Sequence, residues 1–473
     1  MNLAAAASST ETEPNNQHAQ AQKISLPCDI TGSFFPAADV DTFEFTAKKG
    51  EVWWAEVASE RLGRPTDPSM IVQQVTGEGA DEKLTDVVEL SDILSPVKRS
   101  SNGYAYDGPP YNAGSADILG KIEIKEDGVY RLQLSDLFGG TRNDPRNEYR
   151  LIIRPAAPDF ALVAWAMHME LRNGDRNALS KPLTLRGGST MALEVVAVRR
   201  DGFDGEIELT MEHLPDGVTA AGLKIPAGQT RGIMLLTARA DAPRGMQLAS
   251  FTGRAKISDA DVVRPCQLAC MAWPVRDAWS EIPTPRLLAD VPVSVGASEL
   301  AAISIAAAEA RCGSGGWRET EDSAPADSSR GVFWRHHGLK DFGAGFDQTP
   351  SFEVSLQADQ PEAVFNLATL KTPPGDYLIA FYGSAVAKYR YNPEAVSAAE
   401  FAHQRAQQEA TAAAQEVEQA TPASAERKQA ADAALAAAAK RLQEATQQAQ
   451  PKDIVDIIVS EPIAIRVKAG ETK

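Results

Sequence analysis

Long hydrophobic runs are missing from this 473-residue chain: no stretch approaches the ~20 apolar residues that a membrane helix needs, so no helical span is expected. Basic charge is also in short supply. Lysine and arginine total 47 against 64 acidic residues, a formal net charge of -17, which repels phosphate backbones and anionic membrane surfaces alike and favours cations as ligands. Cysteine is scarce, with only Cys28, Cys266, Cys270 and Cys312, and their spacing lacks the paired short intervals of a zinc site. Cys266 and Cys270 lie four apart in an expected strand, facing one way but too distant for an easy bridge. Buried free thiols are the simpler reading, and one disulfide is the alternative.

Catalytic signatures are absent too. The six histidines form no His-Glu-x-x-His helix, a Gly-x-Ser-x-Gly elbow is missing, and no glycine-rich phosphate loop precedes a Lys and a Ser or Thr. Cys312-Gly313-Ser314-Gly315-Gly316-Trp317 looks superficially like a papain-type signature, but Gly315 occupies the nucleophile position. His336 and His337 are consecutive, which is poor geometry for holding one metal ion, and Asp341 and Asp347 read as ordinary loop residues. The chain is therefore expected not to be an enzyme.

What is present is β-rhythm with punctuation. Phe43 and Phe45 alternate with Thr42, Glu44 and Thr46; Lys48-Lys49-Gly50 is a turn; Glu51 to Val57 is a strand carrying Trp53 and Trp54, one facing the core and one facing out. Val129 to Leu134 and Tyr149 to Ile153 continue the pattern to a break at Pro155–Pro158. A second unit, 159–275, has short strands separated by Arg200-Asp201-Gly202-Phe203-Asp204-Gly205 and Leu214-Pro215-Asp216-Gly217-Val218. Trp273 and Trp279, on either side of Pro274, are expected to join this unit to the next. In the third, 276–473, Phe352–Leu356 and Gly375–Gly383 read as strands, and the period then changes. Residues 393–450 are rich in Ala, Gln and Glu and contain no glycine. Their helix propensity and the Thr421-Pro422 start signal predict a hairpin of two helices of about 26 residues, each about 40 Å long. Val396, Phe401, Val417, Leu435 and Leu442 are its few large apolar residues, so alanine must make most of the contact.

The acidic lead-in Glu11-Thr12-Glu13-Pro14-Asn15-Asn16, then Gly32-Ser33-Phe34-Phe35 and Asp39-Val40-Asp41-Thr42-Phe43-Glu44-Phe45, resembles the start of the bacterial pre-peptidase C-terminal (PPC) domain, a secreted β-sandwich. Arg61-Leu62-Gly63 with Asp67-Pro68 fits the same pattern. The turns of the second unit, through Ile225–Thr230 and Asp241-Ala242-Pro243, look like the immunoglobulin-like domains that follow PPC domains in large planctomycete surface proteins. The expected fold is mainly β: three tandem sandwiches, a PPC-like jelly-roll or sandwich (1–158) and two immunoglobulin-like ones (159–275 and 276–473), with the helical hairpin inserted in the last.

Glu11, Glu13 and Asn15 fall at alternate positions, so an extended backbone would point them to one side, with Asn16 adding an oxygen nearby. Calcium takes about six to eight oxygen ligands, and such a set supplies several. In the PPC-like collagen-binding domains of clostridial collagenases the matching Glu-x-Glu-x-Asn-Asn/Asp positions bind calcium. That resemblance nominates Glu11, Glu13, Asn15 and Asn16, with Ser33, Asp39 and Asp41 contributing from the next turn; Asn16 departs from the pattern by offering an amide where a carboxylate occurs. The competing reading is a solvated lead-in and a turn.

The function these features imply is that of a non-catalytic, exported protein, periplasmic, cell-surface or extracellular, that binds or scaffolds a protein or polysaccharide partner. No nucleic acid and no membrane span are expected, and the hairpin is a candidate for self-association. Met1 to Ser9 do not read as a complete secretory signal, which points to a start other than the native one. Two alternatives are the accessory, non-catalytic portion of a secreted hydrolase or peptidase system and a structural envelope component assembled through the hairpin.

Overall fold

Two kinds of strand build this chain: some alternate between water and core, as in Glu208–Glu212, and others are buried almost throughout, as in Arg231–Ala238. The computed structural model describes residues 7–77, 79–96, 111, 113–166, 183–271, 285–296, 320–321, 333–335, 362–363, 375–379, 382–390, 393–417, 422–459 and 463–467. Over these residues the protein is mainly β, with several sheets and two long helices near the C-terminus.

Among the described residues, eleven strands lie before residue 155: β1 (Ser8–Thr10), β2 (Gln22–Lys23), β3 (Cys28–Ser33), β4 (Val40–Ala47), β5 (Val52–Ala58), β6 (Pro68–Thr76), β7 (Lys83–Leu90), β8 (Asp92–Ile93), β9 (Ser115–Glu123), β10 (Gly128–Asp136) and β11 (Glu148–Arg154). They form two sheets, in the orders β1-β3-β11-β5-β9-β8 and β2-β4-β10-β6-β7. Both sheets contribute to one core that includes Phe43, Phe45, Val57, Met70, Ile118, Leu132 and Leu151. In β4 the residues Phe43, Phe45 and Ala47 are buried there while Glu44 and Thr46 take the other face, as strand periodicity requires. Full burial of a side chain such as Phe43 stabilises the sandwich by about 1.5–3 kcal/mol. Trp53 packs against the same core and donates its indole N–H to Glu51 at 3.1 Å, while its neighbour Trp54 is half-buried.

Ten described strands follow: β12 (Asp159–Ala166), β13 (Leu183–Leu185), β14 (Thr190–Arg200), β15 (Glu208–Glu212), β16 (Val218–Leu223), β17 (Arg231–Ala238), β18 (Gly245–Ile257), β19 (Ala260–Met271), β20 (Pro285–Leu288) and β21 (Val291–Val295). They make one hydrogen-bonded sheet, with β15 joined to β18 and β20 to β19 off its main path. It closes over a main core to which β12, β14 and β17 contribute Leu162, Val195 and Leu236, and β13, β18 and β21 contribute Leu185, Phe251 and Val293. The turn after β14 needs left-handed backbone at two consecutive positions, Asp201 (φ 51°) and Gly202 (φ 80°); the glycine adopts it freely, and an aspartate is among the few other residues that tolerate it.

The described strands beyond these are β22 (Thr320–Glu321), β23 (Phe333–Arg335), β24 (Glu362–Ala363), β25 (Gly375–Ile379), β26 (Tyr382–Tyr389), β27 (Lys452–Val459) and β28 (Ile463–Val467). The single strand expected over Gly375–Gly383 is two, with different partners: β25 pairs with β28, and β26 with β23 and β27. Between β26 and β27 stand α1 (Pro393–Val417) and α2 (Pro422–Gln448), packed on each other, so the helical pair interrupts a strand pair as the alanine-rich composition predicts. The expected strand Phe352–Leu356 lies outside the described residues, as do Trp273, Trp279, the Cys312–Trp317 segment, His336, His337, Asp341 and Asp347.

Candidate metal centre

The lead-in reaches the first sandwich through β1, which runs parallel to β3, and through the bond from the Glu11 amide to the Thr31 carbonyl at 3.0 Å. The strand ends at Thr10, so alternation along an extended chain is not what brings the acidic residues together. The backbone turns instead. The Asn15 amide donates to the Glu13 carboxylate at 2.9 Å, Asn15 is fully buried, and its carbonyl accepts from the Thr42 amide at 3.2 Å. This turn sets the lead-in against the first residues of β4, where Asp41 points inward on the same face as Phe43.

Carboxylate oxygens of Glu11, Glu13 and Asp41 lie within 4.8 Å of one another. Glu11 is held from both sides, its Oε1 accepting from the Ser33 amide at 2.7 Å and its Oε2 from the Tyr149 hydroxyl at 2.7 Å. Asp41, also fully buried, accepts at Oδ1 from the Asn15 side-chain amide at 3.2 Å, while its Oδ2 and the Asn15 Oδ1 have no hydrogen-bond partner. Buried polar atoms without partners are rare in native proteins, and here two oxygens with free lone pairs belong to one bonded pair of side chains.

Electrostatics describe a site short of positive charge. Burial, with the Glu11 and Asp39 carboxylates beside it, pushes Asp41 up to about 9, and burial together with Glu13 pushes Asp39 up to about 6. The phenol of Tyr149 is raised well above its ordinary range by burial and by the negative Asp41 and Glu11. A divalent cation among these oxygens would supply the missing charge and fill the unused lone pairs.

The seven residues nominated from the sequence divide. Glu11, Glu13, Asp41 and the amide of Asn15 converge. Asn16 and Asp39 bond to each other at 3.0 Å, and Asp39 also accepts from the Phe35 amide at 3.0 Å, so this pair holds the neighbouring turn. Ser33 serves the cluster through its backbone, because its hydroxyl donates to the Pro145 carbonyl at 3.1 Å. The sequence reading missed Tyr149 and Gly32. They face each other across the β3–β11 ladder, and a Cβ on Gly32 would overlap both the Glu11 carboxylate and the Tyr149 phenol. Tyr149 could have been suspected from its place on the inward face of an apolar strand, but its pairing with Gly32 leaves no local trace. Cys28 and Cys266 are buried free thiols, and burial pushes the Cys28 thiol up to about 11.

No family model matches the chain, and no curated protein matches it. Among solved structures, the pre-peptidase C-terminal domain of a collagenase from Bacillus anthracis is similar over 30% of this chain and 100% of its own, at 13% identity and a TM-score of 0.19. At those values the likeness is too slight to carry an argument, and the sandwich is evident from the chain's own two sheets.

Proposed function

We propose that this chain is a non-catalytic binding or scaffolding protein, exported or surface-associated, whose PPC-like first sandwich takes up one calcium ion. The observation that carries the calcium reading is the convergence of Glu11, Glu13 and Asp41 around the unpartnered oxygens of Asp41 and Asn15. Three carboxylates and an amide oxygen are hard ligands of the type calcium prefers, and water and backbone carbonyls complete its shell. Ligands drawn from the lead-in and from β4 make the ion a clip between two parts of the chain. The sequence offers no nucleophile, acid–base or phosphate-binding motif around which a catalytic role could be built. The acidic surface fits a protein or polysaccharide partner better than a nucleic acid. The bodies after the first sandwich are read as immunoglobulin-like spacers, and the hairpin as a candidate for self-association.

An ion that binds only the folded state raises its stability by RT ln(1 + [L]/Kd), about 2.7 kcal/mol at a hundredfold excess over Kd. The melting temperature is therefore expected to rise by several degrees between chelator and millimolar calcium, and the rise should vanish in Asp41→Asn. Superimposable melting curves for the unsubstituted chain would remove the proposal.

A further inference from the structure

The peptide that links the first sandwich to the ten-stranded sheet has, by sequence, the prolines of a domain boundary: Pro155-Ala156-Ala157-Pro158. Around it, charges from both bodies are buried together. Glu56, on the outer face of β5, has a side chain with no exposure, as has Asp201 in the turn after β14. Three arginines converge on Glu56: Arg61 at 2.8 Å and Arg154 at 3.6 Å from its own sandwich, and Arg200 at 2.7 Å from β14 of the next body. Asp201 pairs with Arg154 and accepts from the Ala157 amide at 2.8 Å, which fastens the linker itself. Arg61 also bonds Asp117 at 2.7 Å. Three carboxylates thus face three guanidinium groups. Burial works to raise the Glu56 carboxyl, but the hydrogen bond from Arg61 and the charges of Arg200 and Arg61 overcome it and hold it below the ordinary range.

Such charges are buried at a cost of several kcal/mol each unless partners surround them, and breaking one pair strands the rest. Two of these pairs, Arg200 with Glu56 and Arg154 with Asp201, cross between the bodies, so undocking breaks both. A second contact supports the same arrangement. Tyr111, which lies between β8 and β9 in sequence, packs on Val163, Trp165, Val196 and Ala269, which form an apolar patch separate from the main core of the ten-stranded body. Bodies joined by a short linker ordinarily move relative to each other unless an interface prevents it.

We propose that this ionic joint locks the first sandwich and the ten-stranded body into one rigid unit, with the acidic cluster held at the end of the sandwich away from the joint. Along β11, Tyr149 at the cluster and Arg154 at the joint are five residues apart, roughly 17 Å at ~3.4 Å per residue. The first sandwich is then a fixed extension of the body behind it, and a partner bound at its far end is presented in one orientation.

Single-molecule energy transfer in the full chain tests this, with dyes on azide-bearing residues placed at the exposed Lys125 and Glu212 so that the native thiols are untouched. The expected result is one narrow distance population, unchanged between 0.1 and 1 M NaCl, because buried pairs are screened little. Arg200→Gln, on the rim of the joint, and Glu56→Gln, at its centre, should each widen that population at least twofold while circular dichroism still reports folded sheets. Should Glu56→Gln fail to fold, Arg200→Gln carries the comparison. A broad or salt-sensitive population in the unsubstituted chain, or an unchanged narrow one in Arg200→Gln, overturns the proposal.

Discussion

Tyr149 shows how much of the acidic cluster depends on a residue that holds no charge. Its hydroxyl fixes one oxygen of Glu11 while the Ser33 amide fixes the other, so the carboxylate is aimed before any cation arrives. Groups that orient a metal ligand in this way typically contribute 10- to 100-fold in affinity. Tyr149→Phe is therefore expected to weaken calcium binding by about that factor in isothermal titration, with the chain still folded. Gly32→Ala is harsher, because the new methyl group and the Glu11–Tyr149 pair would occupy the same space, and it should abolish the calcium-dependent rise in melting temperature. Asp41 adds a pH signature. Its folded-state value is raised, so its contribution to stability is full below about pH 4, where folded and unfolded forms are both protonated, and is lost as pH rises toward about 9. Calcium-free protein should accordingly melt at progressively lower temperature from pH 5 to 9. Asp41→Asn should flatten that dependence, and an unchanged slope in the variant would assign it to other groups. The acidic residues of the cluster were legible in the sequence as chemistry. Gly32 and Tyr149 were not, because a ladder brings together positions 117 residues apart and only the register reveals it.

At the scale of elements, the helical pair tests how far composition alone can be read. Alanine was expected to make most of the contact, and Ala406, Ala410 and Ala413 are indeed the buried residues along α1. Which alanines form the seam could not be read, since an alanine-rich helix presents that residue on every side and the 3.6-residue period is lost. Phe401, counted from sequence among the few large apolar residues of the hairpin, is 70% exposed. Ala410→Leu should overpack the seam and destabilise the hairpin by about 1–3 kcal/mol, measured as a lower-temperature loss of the helical circular dichroism signal. Phe401→Ala should shift the same signal by no more than about 0.5 kcal/mol, as for an ordinary surface substitution. The strands of the first sandwich were easier to read, because Phe43, Phe45, Tyr130, Leu132 and Leu134 alternate with the polar residues Thr42, Glu44, Thr46, Arg131 and Gln133.

Taken whole, the molecule departs most from its sequence where its bodies meet. The prolines at 155 and 158 suggested a domain boundary, and Glu56, Arg154, Arg200 and Asp201 fasten the chain across it. In sequence Arg200 and Asp201 read only as part of a turn between strands, and their pairing with Glu56 and Arg154 appears only in the docked arrangement. A different relation holds for the helical arm. Tyr389 stands opposite Lys452 in the β26–β27 ladder, and an Arg244–Glu394 ion pair connects the start of α1 to the residue before β18. Replacing residues 393–450 by a short turn should leave the sheet signal intact, and light scattering would then show whether the molar mass of any assembly falls. Because the polypeptide leaves and rejoins the sheet at neighbouring rungs, the arm's length is decoupled from everything beneath it. A foreign sequence spliced between Val417 and Pro422 would ride at the tip of a mast roughly 37 Å tall, without the ladder at its foot registering the cargo.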